Sequence, residues 1–263
     1  MKLLTLNCHA WQEEDQLEKI KTLAKTIKEN SYDVIALQEV SQSVDEEQLD
    51  RNVKKDNYMI ILLDELKKLG VEEYNYFWDF SHFAYEVYEE GLAILTKHKI
   101  EKEYSFFVSQ SGNIKYHKTR KIVGAKITYN NEPISFYSCH LGWWGDEEEP
   151  LKKQLDLLCS HVIKSEKIFL MGDFNSDAAV KDEGYDYMLA NGYYDTFDLA
   201  KEKDSGKTVI GKIAGWDKNK HDLRIDYIFS NFQCNVEKSN VIFNNINKPI
   251  ISDHYGVEVK MCL

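Results

Sequence analysis

The sequence predicts a layered α/β fold, and three observations carry that expectation. Short apolar runs of strand length recur along the 263 residues. Segments whose apolar residues keep helical spacing are interleaved with them. Polar, chemistry-bearing residues stand where several of the apolar runs stop, which is where α/β sheets present their ligands. The mixed connections between these elements favour strands packed face to face.

Lys2 to Leu6 reads as a strand ending at Asn7. Trp11, Leu17, Ile20, Ala24 and Ile27 follow at helical spacing, with acids early and lysines late as the helix dipole prefers. Val34 to Leu37 is a strand that runs into Gln38-Glu39, and Asn57 to Leu69 is a helix stopped by Gly70. Tyr74 to Tyr85 is aromatic and extended, with Ser81-His82 in its middle. Gly91 to Leu95 is a strand preceded by Glu89-Glu90. Ile100 to Val108, Lys121 to Tyr129 and Pro133 to Cys139 are further strands. An Asn130-Asn131 turn joins the last two, and His140 ends the hairpin. Pro150 opens a helix over Leu151 to Val162.

The run Ile168 to Met171 is a strand buried on both faces, broken by Gly172 and followed by Asp173 and Asn175. A helix covers Glu183 to Ala190, and the polar, glycine-bearing stretch Ser205 to Asn219 reads as a surface loop. Arg224 to Phe229, Cys234 to Phe243 and Tyr255 to Val259 complete the strands, with Ser252-Asp253-His254 just before the last.

Composition narrows the class. Hydrophobic content of 43% supplies one large core, and no linker, low-complexity tract or internal repeat interrupts it, so residues 1–263 are expected to form a single domain. No apolar run reaches membrane-spanning length, and the amino terminus lacks a signal h-region. The five cysteines show no C-x-x-C spacing, which argues against a disulfide framework or a zinc site and for the cytoplasm. A net charge of -11 repels a polyanion. The one basic stretch, Lys115 to Lys126, suffices for a phosphate group and is thin for a duplex track.

If the chain stays extended, alternation puts Asp173 and Asn175 on one side. Asp173 can take a proton from water, and Asn175 can donate to an oxyanion without titrating. Glu39 and Asp253 are the oxygen donors that Mg²⁺ or Mn²⁺ takes, and Asn7 can add a carbonyl oxygen or orient a metal-bound water. His254 and His140 can stabilise a phosphorane-like transition state, and Asp226 can hold one imidazole in its productive tautomer.

In order along the chain, Leu-Asn7, Leu-Gln-Glu39, Gly-Leu-Ala-Ile-Leu95, Cys-His140-Leu, Gly-Asp173-Phe-Asn175, Arg-Ile-Asp226-Tyr-Ile and Ser-Asp253-His254 resemble the endonuclease/exonuclease/phosphatase superfamily. Its members include DNase I-like nucleases, sphingomyelinases and inositol-phosphate phosphatases. The resemblance implies a four-layer α/β/β/α sandwich, two mixed sheets flanked by helices, with the site at one edge. It implies that Glu39 binds the metal with Asn7 and Asp253 close by, and that Asp173 orients or deprotonates water. Asn175 and His140 would contact phosphate, and Asp226 would pair with His254. It leaves open which of Glu89 and Glu90 fills the acidic position before Gly91.

The shared site does not choose the ester. A nuclease needs basic stripes, which the charge disfavours, and a sphingomyelinase-like phosphodiesterase needs an export signal and an apolar hairpin. A catalytically silent binding module would not keep the full residue set. The stretch His140-Leu-Gly-Trp143-Trp144-Gly-Asp-Glu-Glu-Glu-Pro150 offers indole faces for a sugar and acids for its hydroxyls. With Met1 to His9 and Tyr88 to Lys97 it resembles the Firmicute subgroup that includes maltose 6'-phosphate phosphatase. The expectation is therefore a Mg²⁺-dependent phosphatase of a small soluble sugar phosphate. Arg120, Lys121, Arg224, Trp143, Trp144 and His82 are the candidate substrate contacts, and maltose 6'-phosphate is the lead.

Overall fold

The computed structural model describes residues 1–162 and 166–263. One mixed sheet has seven strands in the order β12 (Glu202–Lys203), β14 (Asn235–Ile242), β15 (Gly256–Cys262), β1 (Lys2–Asn7), β2 (Val34–Ser43), β6 (Tyr88–Thr96), β5 (Asn75–Ala84). A second has six, in the order β11 (Tyr194–Asp195), β13 (Asp226–Ser230), β10 (Lys167–Asp173), β9 (Glu132–His140), β8 (Lys121–Tyr129), β7 (Lys102–Phe107). A short hairpin, β3 (Gln48–Asp50) and β4 (Val53–Lys54), stands apart. The helices are α1 (Gln16–Asn30), α2 (Tyr58–Lys68), α3 (Leu151–His161), α4 (Gly184–Ala190) and α5 (Thr196–Leu199).

Alternation along the strands builds three apolar layers. Leu4, Leu6, Ile35 and Leu37 of the first sheet pack against Ile20, Leu23 and Ile27 of α1 and Met59, Leu62 and Leu66 of α2. Ile168, Leu170, Tyr227 and Phe229 of the second sheet pack against Leu155 and Leu158 of α3 and Met188 of α4. The remaining strand faces, Leu3, Val34, Ala36, Ile94, Phe136, Phe169, Met171, Ile228 and Val257, meet each other between the sheets. The expected sandwich with outer helices is what forms. Each buried aliphatic side chain in it contributes about 1.5–3 kcal/mol relative to exposure.

Three local differences have physical causes. The first helix starts at Gln16 rather than near Trp11, because the Gln16 Oε1 accepts from the Trp11 N–H at 2.8 Å and holds the preceding residues in a turn. Trp11 takes φ 64 there and sets its ring edge-on to Tyr58. Asn57 lies outside its helix as the cap, its side chain accepting from the Met59 N–H at 3.0 Å. Gly172 does not break its strand: β10 runs through to Asp173, in register with β9 and β13. Glycine is required because a Cβ there would lie 1.9 Å from the Cys139 carbonyl oxygen, at φ +144. No helix among the described residues is long and apolar enough to cross a membrane.

Candidate active site

The space between the sheets changes from apolar to polar toward one edge, and strand parity dictates that change. Leu3, Thr5 and Asn7 share a face of β1, as do Ile134, Phe136, Ser138 and His140 of β9 and Phe169, Met171 and Asp173 of β10. Thr5, Gln38 and Ser138 form the intermediate layer. Gln38 Nε2 donates to Ser138 Oγ at 2.9 Å, and Ser138 Oγ donates to the Leu37 carbonyl at 2.8 Å, tying one sheet to the other. One residue further along each strand face, Asn7, His140 and Asp173 meet. Asp173 is the direct register partner of His140 on β9 and of Asp226 on β13, so the three stand side by side across neighbouring strands.

Asp173 is 1% exposed and accepts from Asn7 and from both the backbone and side-chain N–H groups of Asn175. Asn7 Nδ2, from the other sheet, donates to its Oδ2 at 3.3 Å, and the Asn175 backbone N–H donates to its Oδ1 at 2.8 Å. That second bond closes a turn in which Asn175 has φ 45, so Asn175 reaches Asp173 by folding back and not by extended alternation. The Asn175 amide donates to the Leu141 carbonyl at 2.9 Å, and its oxygen accepts from Trp216 Nε1 at 2.8 Å. Asp226 Oδ2 accepts from His254 Nδ1 at 3.0 Å, and His254 Nε2 lies 3.8 Å from Asp173 Oδ2. Although burial opposes it, Asp226 and Asp173 hold the His254 imidazole well above its ordinary pKa. Burial pushes Asp173 up to about 7, the His254 charge pulling the other way.

Glu39 enters by a backbone irregularity. Parity with Ile35 and Leu37 would turn it toward the helices, but the register of β2 on β6 slips between Leu37 and Val40, and Glu39 takes φ 53. The bulge aims its carboxylate into the cleft, where Asn7 Nδ2 donates to it at 2.8 Å. The Asn7 oxygen meanwhile accepts from the His9 N–H at 3.2 Å, which makes Asn7 a strut between Glu39 and Asp173. Glu90 shares its strand face with Ile94 and lies in the cleft. Glu89 faces away, bonded to Gln42 at 2.6 Å and Lys54 at 3.1 Å. Burial and then the Glu39 charge push Glu90 up to about 8. Asp253 lines the same cleft beside His9, a residue the sequence reading missed although it follows Asn7 by two positions. His9 Nδ1 bonds Glu13 at 2.8 Å, and despite burial the His9 and Lys19 contacts hold Glu13 down at about 2.

The donor set is oxygen-rich. Glu39, Glu90, Asp173 and Asp253 all line the cleft, and His9, Glu13 and Asp253 bring ligand-type atoms within 4.8 Å of one another. Clustered carboxylates of this kind fit a hard divalent cation.

The cleft, of about 270 Å³, is also lined by His82, His117, Arg120, His140 and Trp143, with His140 Nε2 3.8 Å from both Glu39 and Asp173. Arg120 is 6% exposed, donates to the His117 and Thr119 carbonyls at 2.8 and 3.3 Å, and leaves its Nε–H without a partner. Burial, then the Arg120 charge, depresses His140 well below its ordinary range and His82 to about 3.

Three expected substrate contacts lie elsewhere. Lys121 crosses between the sheets to Asp79 at 2.8 Å. Arg224 is paired with Asp195 and packed on the Tyr185, Phe197 and Tyr227 rings. Trp144 leans on Tyr187 under the α3 side of the second sheet. The acids beside the two indoles are also engaged: Lys118 binds Asp146 at 2.7 Å and Glu148 at 2.8 Å, and Glu149 accepts the Gln110 and Ser111 N–H groups. They fasten the tryptophan loop to the Arg120 loop. Ile213, Ala214 and Gly215 also line the cleft, which the polar, glycine-bearing sequence around them did not announce.

The profile of the Endonuclease/Exonuclease/phosphatase family matches residues 7–254. A solved family protein from Leptotrichia buccalis is 42% identical, with each chain covered over 100% of its length and a TM-score of 0.94. Two more distant structures share the fold. The Bacteroides thetaiotaomicron mannosyl-6-phosphatase is 15% identical, with 100% of both chains covered and a TM-score of 0.74. D. rerio TDP2 with a single-strand DNA product is 14% identical, covering 100% of this chain and 99% of that one, with a TM-score of 0.67. Comparison with curated proteins finds no match. From the ordered set of strand-end residues, the two-sheet sandwich and these likenesses together, the chain belongs to the endonuclease/exonuclease/phosphatase family.

Proposed function

We propose that this protein is a metal-dependent phosphomonoesterase acting on a small soluble sugar phosphate, with maltose 6'-phosphate as the lead substrate. The observation that carries the reading is Arg120. Of the lysines and arginine at 115–126, Lys118, Lys121 and Lys126 are engaged with carboxylates and Lys115 is exposed outside the cleft lining, while Arg120 lines the cleft with an unsatisfied N–H facing no ion-pair partner among the described residues. One buried guanidinium opposite a carboxylate cluster suits a single phosphate group, whereas a nucleic-acid track needs several free cations. The fold alone does not decide, since it serves the sugar phosphatase and the DNA-bound protein named above.

In this reading Glu39, with Asp173 and Asp253 near, holds Mg²⁺ or Mn²⁺, which when bound neutralises charge on the ester. Asn7 keeps Glu39 and Asp173 at a fixed separation. Asp173 takes the proton from the attacking water, its pKa near neutrality suiting a general base. His254, charged and fixed by Asp226, donates to a phosphoryl oxygen, while His140 stays neutral beside it and orients the same group. Arg120 grips a remaining oxygen and Trp143 offers a face to the sugar, while the Asn175 amide, bonded to the Leu141 carbonyl and Asp173, holds the turn that carries Asp173. No disulfide joins the five cysteines, which accords with a cytoplasmic enzyme.

The test is a panel of phosphosugars, plasmid DNA and sphingomyelin incubated with Mg²⁺, reading phosphate, nicking and phosphocholine. Phosphate release from a sugar ester is expected. Nicking at low enzyme concentration with the sugar esters untouched overturns the proposal in favour of a nuclease.

A further inference from the structure

Two strands of the first sheet slip register beside the cleft, and the phosphoryl chemistry uses only one of the slips. That in β2 aims Glu39. That in β5 falls between Phe80, which pairs with Gly91, and His82, which pairs with Glu90, so Ser81 is the extra residue of a bulge. Tyr76, Trp78 and Phe80 pack on the helix side of the sheet, and unbroken alternation would send His82 after them. The bulge reverses this. Phe83 now meets Phe80 edge-on with ring centroids 5.0 Å apart, and His82 lines the cleft beside Glu90.

His82 is 5% exposed and offers the cleft little surface. Its Nδ1 lies 3.5 Å from Ser81 Oγ, which donates to the Thr119 carbonyl at 3.4 Å. Its Nε2 lies 3.6 Å from Glu90 Oε1, and that same oxygen lies 3.9 Å from His140 Nδ1. Catalytic hydrogen bonds often start at such separations and shorten when substrate binds. The other nitrogen of His140 faces Glu39 and Asp173 at 3.8 Å each. One carboxylate oxygen therefore stands between two imidazoles, and the second imidazole reaches the reacting centre. Among the described residues these two rings are the only side chains within ion-pair distance of Glu90. Burial and the Arg120 charge keep His82 uncharged, so it is no cation for a phosphate.

We infer that His82 is a positioning residue: through Glu90 it fixes the His140 ring that orients the phosphoryl group, and it does not itself touch substrate. The inference rests on the phosphatase reading and deepens it. The bulge at Ser81 is the device that brings the imidazole to its place.

Two measurements test this. The first takes kcat and KM for maltose 6'-phosphate with Mg²⁺, and the inhibition constant of inorganic phosphate, in the wild type, His82→Leu and His82→Gln. His82→Leu should lower kcat about tenfold, with KM and the inhibition constant within about twofold of the parent. His82→Gln, whose amide keeps a hydrogen-bonding group at that reach, should recover most of the loss. A rise in KM or in the inhibition constant with kcat kept makes His82 a substrate contact and overturns the inference. Equal losses in both variants with a lowered Tm make it a packing residue and overturn it too. The second measurement reads the imidazole nitrogen resonances without substrate, those of His140 being assigned by their loss in His140→Asn. They should move in His82→Leu and return in His82→Gln, while those of His254 stay. If no sugar ester is hydrolysed yet the His140 resonances respond in this way, the His82 link stands and the phosphatase reading falls. If esters are hydrolysed and neither kcat nor the His140 resonances respond to His82→Leu, the inference falls and the phosphatase remains.

Discussion

Replacing Arg120 by Met separates a functional cation from a structural one. The guanidinium is 6% exposed, and burial lowers its pKa despite the nearby Glu90 and Glu39 charges, so its charge is held at a cost. What it receives in return within the chain is two carbonyl acceptors, with no carboxylate within ion-pair distance among the described residues. Removing it leaves the His117 and Thr119 carbonyls without that donor, about 1–3 kcal/mol, partly offset by the burial cost the charge no longer incurs, so a Tm lower by a few degrees is expected for a chain of this size. The bond to a phosphate dianion is different. A charge-assisted hydrogen bond contributes about 1.5–3 kcal/mol, which is roughly a 10–150-fold loss in kcat/KM. The assay pairs phosphate release with thermal melting of the same preparation. A large fall in activity with Tm lowered by no more than a few degrees is expected. Wild-type activity with a melt lowered by many degrees would refute the reasoning and make Arg120 a structural residue.

Other outcomes follow from the same geometry. Asp226→Asn should lower kcat about 10²–10⁴-fold with little change in KM, because it removes the partner that keeps His254 charged and oriented. Its pH dependence has a definite sign: the folded-state pKa of His254 is raised, so the pair's stabilisation is complete at acid pH and is lost as pH rises through that value. The alkaline limb of the rate profile should therefore move to lower pH in the variant, as a pH–rate series will show. Gly172→Ala should cost at least about 3 kcal/mol in denaturant melts, since the new methyl group would collide with the Cys139 carbonyl in a backbone conformation that favours glycine. Trp216→Phe should lower kcat about 2–13-fold, the net value of the hydrogen bond its indole makes to Asn175, which Leu141 and Asp173 also hold, with Tm lowered by only a few degrees.

How much of this was legible in the sequence depends on the range of the interactions involved. Strand ends are local features, and they singled out Asn7, Glu39, His140 and Asp173, whereas Asp226 entered through the family resemblance and Asn175 reaches Asp173 by a turn and not by the alternation expected. Strand parity could have separated Glu90 from Glu89, because Glu90 shares parity with Ile94, an inter-sheet core residue. Glu39 was singled out and lies in the cleft, but the way it reaches there was hidden. A bulge reverses its parity, and nothing in Leu-Gln-Glu-Val spells a positive φ.

Long-range pairing was invisible for the basic residues. Lys121 and Arg224 look identical to substrate grips until Asp79 and Asp195 are seen opposite them. The same holds for the acids after Trp144, whose partner Lys118 lies in another loop. The polar stretch from 205 to 219 read as a surface loop because its apolar content is sparse. The Val209–Leu223 bridge, distant in sequence, folds this stretch back, and Trp216 bonds Asn175.

The central claim is that residues from both sheets meet to set a carboxylate-held cation and an activated water against one phosphate ester. Phosphate release from maltose 6'-phosphate, followed with and without Mg²⁺ in the wild type and in Asp173→Asn, tests it most directly. The account predicts Mg²⁺-dependent release by the wild type, reduced about 10²–10⁴-fold in a variant that still melts like the parent. Equal rates in the two proteins, or release indifferent to the cation, would contradict it.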